Sequence, residues 1–572
     1  MAESTVPASN LRSRWAIDVT PDSVLPEYPR PTLVRPEWTN LNGEWEFHVT
    51  AEGSAGEERP EAFDERILVP FCPESALSGV GRAMPTDRWV WYRRTFARPS
   101  GDRILLHFGA VDWRCRVWVD GTEVGTHEGG YDAFWFDVTD ALKGDSEHEI
   151  VVGALDPCDK GHQPRGKQVC EPEKIYYVPC TGIWGTVWAE GVPAEHITGL
   201  KITPRLGEER LKIRVHASED TTAEVVVSGG GVEVARHSGP ANEPLSLPVH
   251  DPRPWSPDDP FLYEIVVTLS TGDRVESYCG FREVGLVKDS KGRTRLGLNG
   301  EPVFMIGPLD QGYWPESNLT APTVEALESD IELAQRLGFN TIRKHVKVEP
   351  AIWYAMCDRM GVLVWQDMPS GERSIKPDEP DIVRSPESAA CFERELRAMV
   401  DGLYNHPSIV AWVVFNEGWG QYDTERVVTE AGAYDPSRIN VGVTGWADRC
   451  VGDVCDEHDY PGPSSPEPEA DRAATLGEFG GLGLPVVGHM WQHDFWGYKS
   501  YGSKPELTEA FERLFRELEP LVAETGLSAA IYTQTTDVET ECNGFVTYDR
   551  AAMKLDEAHV RAAVERVRAI PL

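Results

Sequence analysis

The chain has 572 residues, more than a single hydrophobic core organises, so roughly two to four domains are expected. Its 55 Lys and Arg stand against 93 Asp and Glu, a net charge of −38. That balance excludes a basic nucleic-acid face and argues against a strongly anionic ligand. No apolar run approaches the roughly 18 residues that a membrane-spanning helix needs. Eleven cysteines without a repeated spacing read as reduced thiols rather than a disulfide framework, and "MAESTVPASNLRSRWAIDVT" holds no apolar leader core. The expected setting is the cytoplasm. Nineteen tryptophans can furnish flat apolar platforms for a ligand as well as core packing.

Residues 1–194 read as strands and turns. "VWYRRTF" (90–96), "RILLHFG" (103–109) and "CRVWVDG" (115–121) are short β-rich runs, and "HEGGYDAFWFDVTDAL" (127–142) is a turn leading into a strand. Glycine and proline punctuate at strand spacing, which predicts a jelly-roll β-sandwich. A second β segment spans 195–288. "AEVVVSG" (223–229) and "FLYEIVVTLSTG" (261–272) flank the turn cluster "PWSPDDP" (254–260), the size and pattern of an immunoglobulin-like sandwich.

From 289 to 572 helix and strand alternate. Thr323 can cap a helix whose buried face is Leu327, Ile331, Ala334 and Leu337, with Gly338 as its stop and Phe339 to Arg343 as the next strand. Ile352 to Met360 is a second helix, stopped by Gly361 before "VLVW" (362–365). Ser385 and Pro386 open a third, with Phe392, Leu396, Met399 and Leu403 as its stripe, leading into "IVAWVVF" (409–415). Phe511, Leu514, Leu518 and Leu521 mark a further helix before Gly526 and "AAIYTQ" (529–534). Repeated β-α units over this length predict a (β/α)8 TIM barrel, with an open doubly wound sheet as the alternative; no glycine-rich phosphate loop supports the latter.

Barrel strands are buried on both faces, and their C-terminal ends form the floor of a site. The run "AWVVFNEGWG" (411–420) therefore delivers Asn416 and Glu417 to that floor, followed by the glycine-bracketed Trp419. "AATLGEFGG" (473–481) has the same grammar and ends in Glu478. "FNTIRKH" (339–345) brings Arg343 and His345, "VLVWQD" (362–367) brings Asp367, "VCDEHDYP" (454–461) brings His458 and Tyr460, and "AAIYTQTTD" (529–537) brings Gln534. Two glutamates converging on a polar, aromatic-lined floor suit glycoside hydrolysis. One protonates the leaving oxygen while the other attacks the anomeric carbon or activates water. Their pKa values must differ, which a cation beside one and the apolar run before Glu417 can arrange. Cys450, Cys455 and His458 invite a zinc reading, but the spacing lacks a fourth ligand; no metal or cofactor is expected.

Several longer motifs carry a resemblance. "LNGEWEF" (41–47), "HEGGY" (127–131), "TGIWGTVW" (181–188), "CDRMGVLVWQD" (357–367), "NHPSIVAWVVFNEGWG" (405–420), "HDYPGP" (458–463) and "GEFGGLGLPVVGHMW" (477–491) resemble glycoside hydrolase family 2, in the family's order and over almost the whole chain. The resemblance implies a retaining double displacement on a carbohydrate substrate, with Glu417 as acid/base and Glu478 as nucleophile. It implies that Asn416 binds the hydroxyl next to the anomeric carbon and that Arg343 and Tyr460 position the nucleophile. His458, Asp367 and Trp446 would line the sugar pocket, with His345, Trp419 and Gln534 as further contacts.

For the sugar itself, β-glucuronidases of the family carry an Asn-x-Lys whose lysine holds the substrate carboxylate. The matching stretch "ECNGFVTYDR" (541–550) puts Glu541 and Asn543 there, with Asp537 and Glu539 nearby, so a uronate is expected to meet repulsion. "RKHVKVEP" (343–350) resembles compact members that act on furanosides. The leading expectation is an exo-acting β-D-galactofuranosidase. The alternatives are a β-D-galactopyranosidase, an α-L-arabinofuranosidase, a β-mannosidase, or a non-catalytic carbohydrate-binding protein. The sequence leaves a homo-oligomer open.

Overall fold

The computed structural model describes residues 10–52, 58–144 and 147–572. Part of the N-terminal stretch read for a leader, residues 1–9, lies outside them. Among the described residues no helix is long and apolar enough to cross a membrane. All eleven cysteines are unpaired.

The first domain is a sandwich of a four-stranded and a six-stranded antiparallel sheet. Alternation along its strands builds the core: Trp45 and Phe47 point inward from Gly43–Val49, and Cys115, Val117 and Val119 from Arg114–Val119. The second domain packs a three-stranded sheet on a four-stranded one. Val225 and Val227 on Thr222–Gly229, and Ile265 and Val267 on Tyr263–Leu269, are its central apolar residues.

The third unit is a barrel. Its strands are β1 (Met305–Asp310), β2 (Thr341–Lys344), β3 (Leu363–Asp367), β4 (Ile409–Asn416), β5 (Ile439–Thr444), β6 (Val454–Asp459), β7 (Ala473–Gly480) and β8 (Ala529–Thr533). Every ladder is parallel, in the order β5-β4-β3-β2-β1-β8-β7-β6. The ladder is open between β5 and β6, where Asp453 N donates to Asn440 O and Gly445 N donates to Asp456 Oδ1. The helices are α1 (Val324–Arg336), α2 (Ala351–Met360), α3 (Pro386–Leu403), α4 (Thr424–Tyr434), α5 (Lys504–Pro520) and α6 (Glu557–Arg568).

The caps explain where the helices start. Thr323 accepts from Ala326 N, Ser385 from Ser388 N, Ser503 from Glu506 N and Asp556 from Ala558 N, each satisfying a donor the helix leaves free. The strict alternation expected from sequence breaks in one region: β5–β6 and β6–β7 are joined without helices. The latter link, "PGPSSPEPEADR" (461–472), carries four prolines, which remove donors and fix φ against helix formation. Leu521, read as the last turn of the stripe, begins a separate π-helical turn after Pro520, Leu521–Thr525.

A small sheet formed by Val284–Lys288, Thr294–Leu298 and Glu301–Pro302 plugs the N-terminal end of the barrel. Leu296 and Leu298 pack there with Met305, Leu363, Trp365, Val410, Val441 and Ala529. Plugging that end leaves the C-terminal end as the only mouth a barrel of this kind can offer a ligand. The second domain is fastened to the barrel through buried Asp358 of α2, which accepts from Tyr278 Oη at 2.7 Å, from His406 Nδ1 at 2.6 Å and from Ser408 N at 2.8 Å. Asp358→Ala strands three buried donors and is expected to destabilise the protein by about 2–4 kcal/mol. Thermal denaturation should show a clear loss of midpoint; an unchanged midpoint contradicts that role.

Candidate active site

The barrel mouth is built around one guanidinium. Arg343, at the end of β2, is fully buried. Its Nε and Nη2 donate to the two oxygens of Asp367 on β3, both at 3.0 Å. Nη2 also reaches Asn416 Oδ1 on β4 at 2.8 Å and Thr444 Oγ1 on β5 at 3.0 Å. Nη1 donates to Gly477 O at 3.0 Å and to Glu478 Oε1 at 3.3 Å on β7. One side chain thus gathers the ends of five strands.

Glu478 is held at both oxygens. Besides Arg343 on Oε1, Tyr460 Oη donates to Oε2 at 2.5 Å, and Tyr460 is itself fixed by Thr533 Oγ1 at 2.8 Å and by a parallel stack on Tyr498. Burial alone would raise the Glu478 carboxyl. The positive charges of His458, His345, Arg343 and Lys167 outweigh it and bring the pKa down to about 2. Glu478 is therefore a fixed carboxylate.

Glu417 follows the last residue of β4 and sits in the left-handed region, φ 52°, so the chain turns sharply there. The turn carries its side chain out of the apolar run. The apolar surround expected for Glu417 is not found, because that run ends at Phe415, two residues earlier. Glu417 Oε1 instead meets His458 Nδ1 at 2.8 Å, and its side chain stays 13 % exposed. His458 Nδ1 also lies 3.7 Å from Glu478 Oε1, so one imidazole stands between the two glutamates. Burial lowers its pKa, but Glu478, Glu417 and Asp456 raise it overall. One oxygen of Glu417 and one of Glu478 lie within 4.8 Å of each other.

Asn416 Oδ1 is taken by Arg343 and Thr444, which leaves its buried Nδ2 without a protein partner beside the glutamates. Trp446 meets His458 edge-on at the mouth and is 45 % exposed. Trp419 stacks on Tyr176 of the first domain, centroids 5.5 Å apart.

Three of the expected sugar contacts also have partners within the protein. Both Asp367 oxygens accept from Arg343, and Oδ2 also accepts from His345 Nδ1 at 2.9 Å, so Asp367 orients both side chains. His345 is buried with it, and burial lowers its pKa. Gln534 Nε2 donates to Asn543 Oδ1 at 2.6 Å, and its buried Oε1 has no protein partner. The Cys450, Cys455 and His458 spacing does not gather into a metal site: Cys450 is exposed, and His458 turns to Glu417. The Glu417, His458 and Glu478 atoms are close enough to share a cation, as are Cys158, Asp159 and Cys170 in the first domain.

The sequence reading missed the first domain's share. Its loop pins itself to the barrel, with Arg165 N and Gly166 N both donating to Ser370 O. Tyr176, Tyr177 and Lys167 thereby reach the mouth. The visible signal was "RGKQ" (165–168), two cations in a strongly acidic chain.

The Glu478 shift has a pH consequence. Its folded pKa lies below the ordinary 4.5, so its ionisation stabilises the fold fully above pH 4.5, and that contribution is lost as pH falls toward about 2. Glu478→Gln lacks it. Its thermal midpoint should drop less steeply than the wild-type midpoint on acidification below pH 4.5; parallel curves contradict the assignment.

Comparison with known proteins agrees with this architecture. The model of the galactose-binding-like domain of glycosyl hydrolase family 2 matches residues 81–181, the family 2 model matches 195–282, and its TIM barrel model matches 296–465. A β-galactosidase of Aeromonas hydrophila is 25 % identical, over 81 % of this chain and 50 % of its own length. A β-galactosidase of Thermoanaerobacter pseudethanolicus is 26 % identical, over 62 % of this chain and 48 % of its own. The chain thus spans about half the length of these curated relatives. Among solved structures, a GH2 β-galacturonidase of Eisenbergiella tayi bound to galacturonate superposes with a TM-score of 0.72 at 21 % identity, covering 95 % of this chain and 99 % of that one. With three family models matching in order along its three domains, the chain belongs to glycoside hydrolase family 2.

Proposed function

We propose that the protein is a retaining glycoside hydrolase that removes a terminal sugar, with Glu478 as nucleophile and Glu417 as acid/base. The observation that carries this reading is that one oxygen of Glu417 and one of Glu478 lie within 4.8 Å of each other. Retention takes a separation of about 5–5.5 Å, whereas inversion needs about 6.5–9.5 Å to admit a water. Their surroundings divide the labour. Glu478 is buried, ionised and fixed at both oxygens, as an in-place nucleophile must be. Glu417 has one hydrogen-bond partner and is open toward the mouth, where a leaving oxygen and then a water can reach it.

In the first step the Glu478 oxygen bonds to the anomeric carbon as the glycosidic C–O bond breaks, and Glu417 gives its proton to the departing oxygen. In the second, Glu417 takes a proton from water, the water oxygen bonds to the anomeric carbon, and the ester to Glu478 breaks. The free Nδ2 of Asn416 fits the role of donor to the neighbouring ring hydroxyl. The first-domain loop walls one side of the mouth through the Tyr176–Trp419 stack, which favours a chain end over an internal residue.

The expected β-D-galactofuranoside preference gains no support from the relatives, whose names are β-galactosidase and β-glucuronidase. A β-linked terminal sugar is the substrate class this reading retains.

Two measurements test it. Proton NMR of a β-glycoside digest should show the β-anomer first; the α-anomer first refutes retention. Glu417→Gln should slow alkyl glycosides by about 10²–10⁴-fold and dinitrophenyl glycosides far less, because only the former need the proton. Equal losses remove Glu417 from the acid role.

A further inference from the structure

The repulsion expected for a uronate rested on Asp537, Glu539 and Glu541, and the fold disarms the first two. Asp537 is ion-paired with Lys554 at 2.5 Å and accepts from Gly544 N. Burial lifts the Glu539 carboxyl to about 8, and it accepts from Val178 N at 2.8 Å. Glu541 accepts from Tyr177 Oη and Asn543 Nδ2. Glu539 and Glu541 fasten the first domain to the barrel, and of the three acids only Glu541 keeps a charge without a cation beside it.

A cation meanwhile enters the site from another domain. Lys167 is 7 % exposed, yet among the described residues its ammonium makes no hydrogen bond and no ion pair. Its stem is buried, and the ammonium at its tip is left for a ligand. The loop carrying it is rigidly placed. Gln168 bonds Asp112 and Tyr131 and receives Cys180 N, and Tyr177 N donates to Lys167 O. The ammonium lies 5.6 Å from the centroid of Trp419, two residues beyond Glu417, and 5.9 Å from that of Tyr177. Aromatic faces hold an ammonium without neutralising it. Its charge is felt at Glu478 and at His345, and it stands outside ion-pair contact with both.

We propose that Lys167 is a substrate-binding residue that pairs with a carboxylate on the terminal sugar, making the substrate class a β-linked uronide. This deepens the proposed function and rests on it for the site. In this reading a sugar ring with its anomeric carbon at Glu478 turns its carboxylate toward Lys167. One ammonium beside two glutamates suits a monoanion; a dianionic phosphate would meet more repulsion than attraction there. The overall −38 is no obstacle, since the recognition is local and buried.

Binding tests this separately from catalysis. The intact protein is titrated calorimetrically with D-glucuronate and D-galacturonate, and with D-glucose and D-galactose. At least one uronate should bind about 10-fold or more tighter than its neutral counterpart. Lys167→Met should erase that preference while leaving neutral-sugar affinity within about 3-fold, and Lys167→Arg should keep part of it. Unfolding curves of both variants establish that they are folded. No uronate binding, no preference over neutral sugars, or a preference that survives Lys167→Met overturns the proposal. So does a loss of uronate and neutral binding by the same factor, which means Lys167 acts through Glu478 or the fold. Hydrolysis of aryl uronides and neutral aryl glycosides is scored alongside. Cleavage of neutral glycosides without uronate preference leaves the hydrolase reading standing and removes this one. Lys167-dependent uronate binding without any cleavage does the reverse.

Discussion

The site depends on the burial of Arg343. A guanidinium out of water is unfavourable unless its donors are met, and here they are met by residues on β3, β4, β5 and β7. That requirement aligns the strand ends. It sets the Asn416 amide so that Oδ1 faces inward and Nδ2 is left over, and it holds Glu478 as an anion. Asp367 balances the charge from behind. Lysine could not do this work, because a single ammonium lacks the planar fork that meets Asp367 at both oxygens.

The second constraint is the contrast between the two glutamates. Glu478 lies among cations and is locked at both ends. Glu417, carried out of its strand by a left-handed turn, keeps only His458. The imidazole lies against both carboxylates, so a change of charge on one is felt by the other through a single ring. The same two residue types thus acquire different chemistry from position alone.

Much of this was legible in the chain. The stripe Leu327, Ile331, Ala334 and Leu337, the caps Thr323 and Ser385, and the stop at Gly361 are local signals, and the helices follow them. Strand-end placement of Arg343, Asn416, Glu417, His458 and Glu478 followed from a rule internal to the barrel, and the geometry brings them together. What escaped were facts that depend on partners distant in sequence. Asp367 and Gln534 sit at strand ends as expected, but their side chains are claimed by Arg343, His345 and Asn543. The acids near residue 540 looked like a repulsive cluster because Lys554, Tyr177 and Val178 N could not be seen to meet them. Lys167 arrives from a different domain, so no barrel rule could point to it. The absent helix after β6 was foreshadowed only by the prolines of 461–468.

The central claim is that Glu478 attacks the anomeric carbon. Incubation with a 2-deoxy-2-fluoro glycosyl fluoride, followed by proteolysis and mass spectrometry, reads that bond directly. The account predicts one fluoroglycosyl group on the peptide containing Glu478, and none on the Glu478→Gln protein. Labelling on Glu417, or on any other residue, contradicts it.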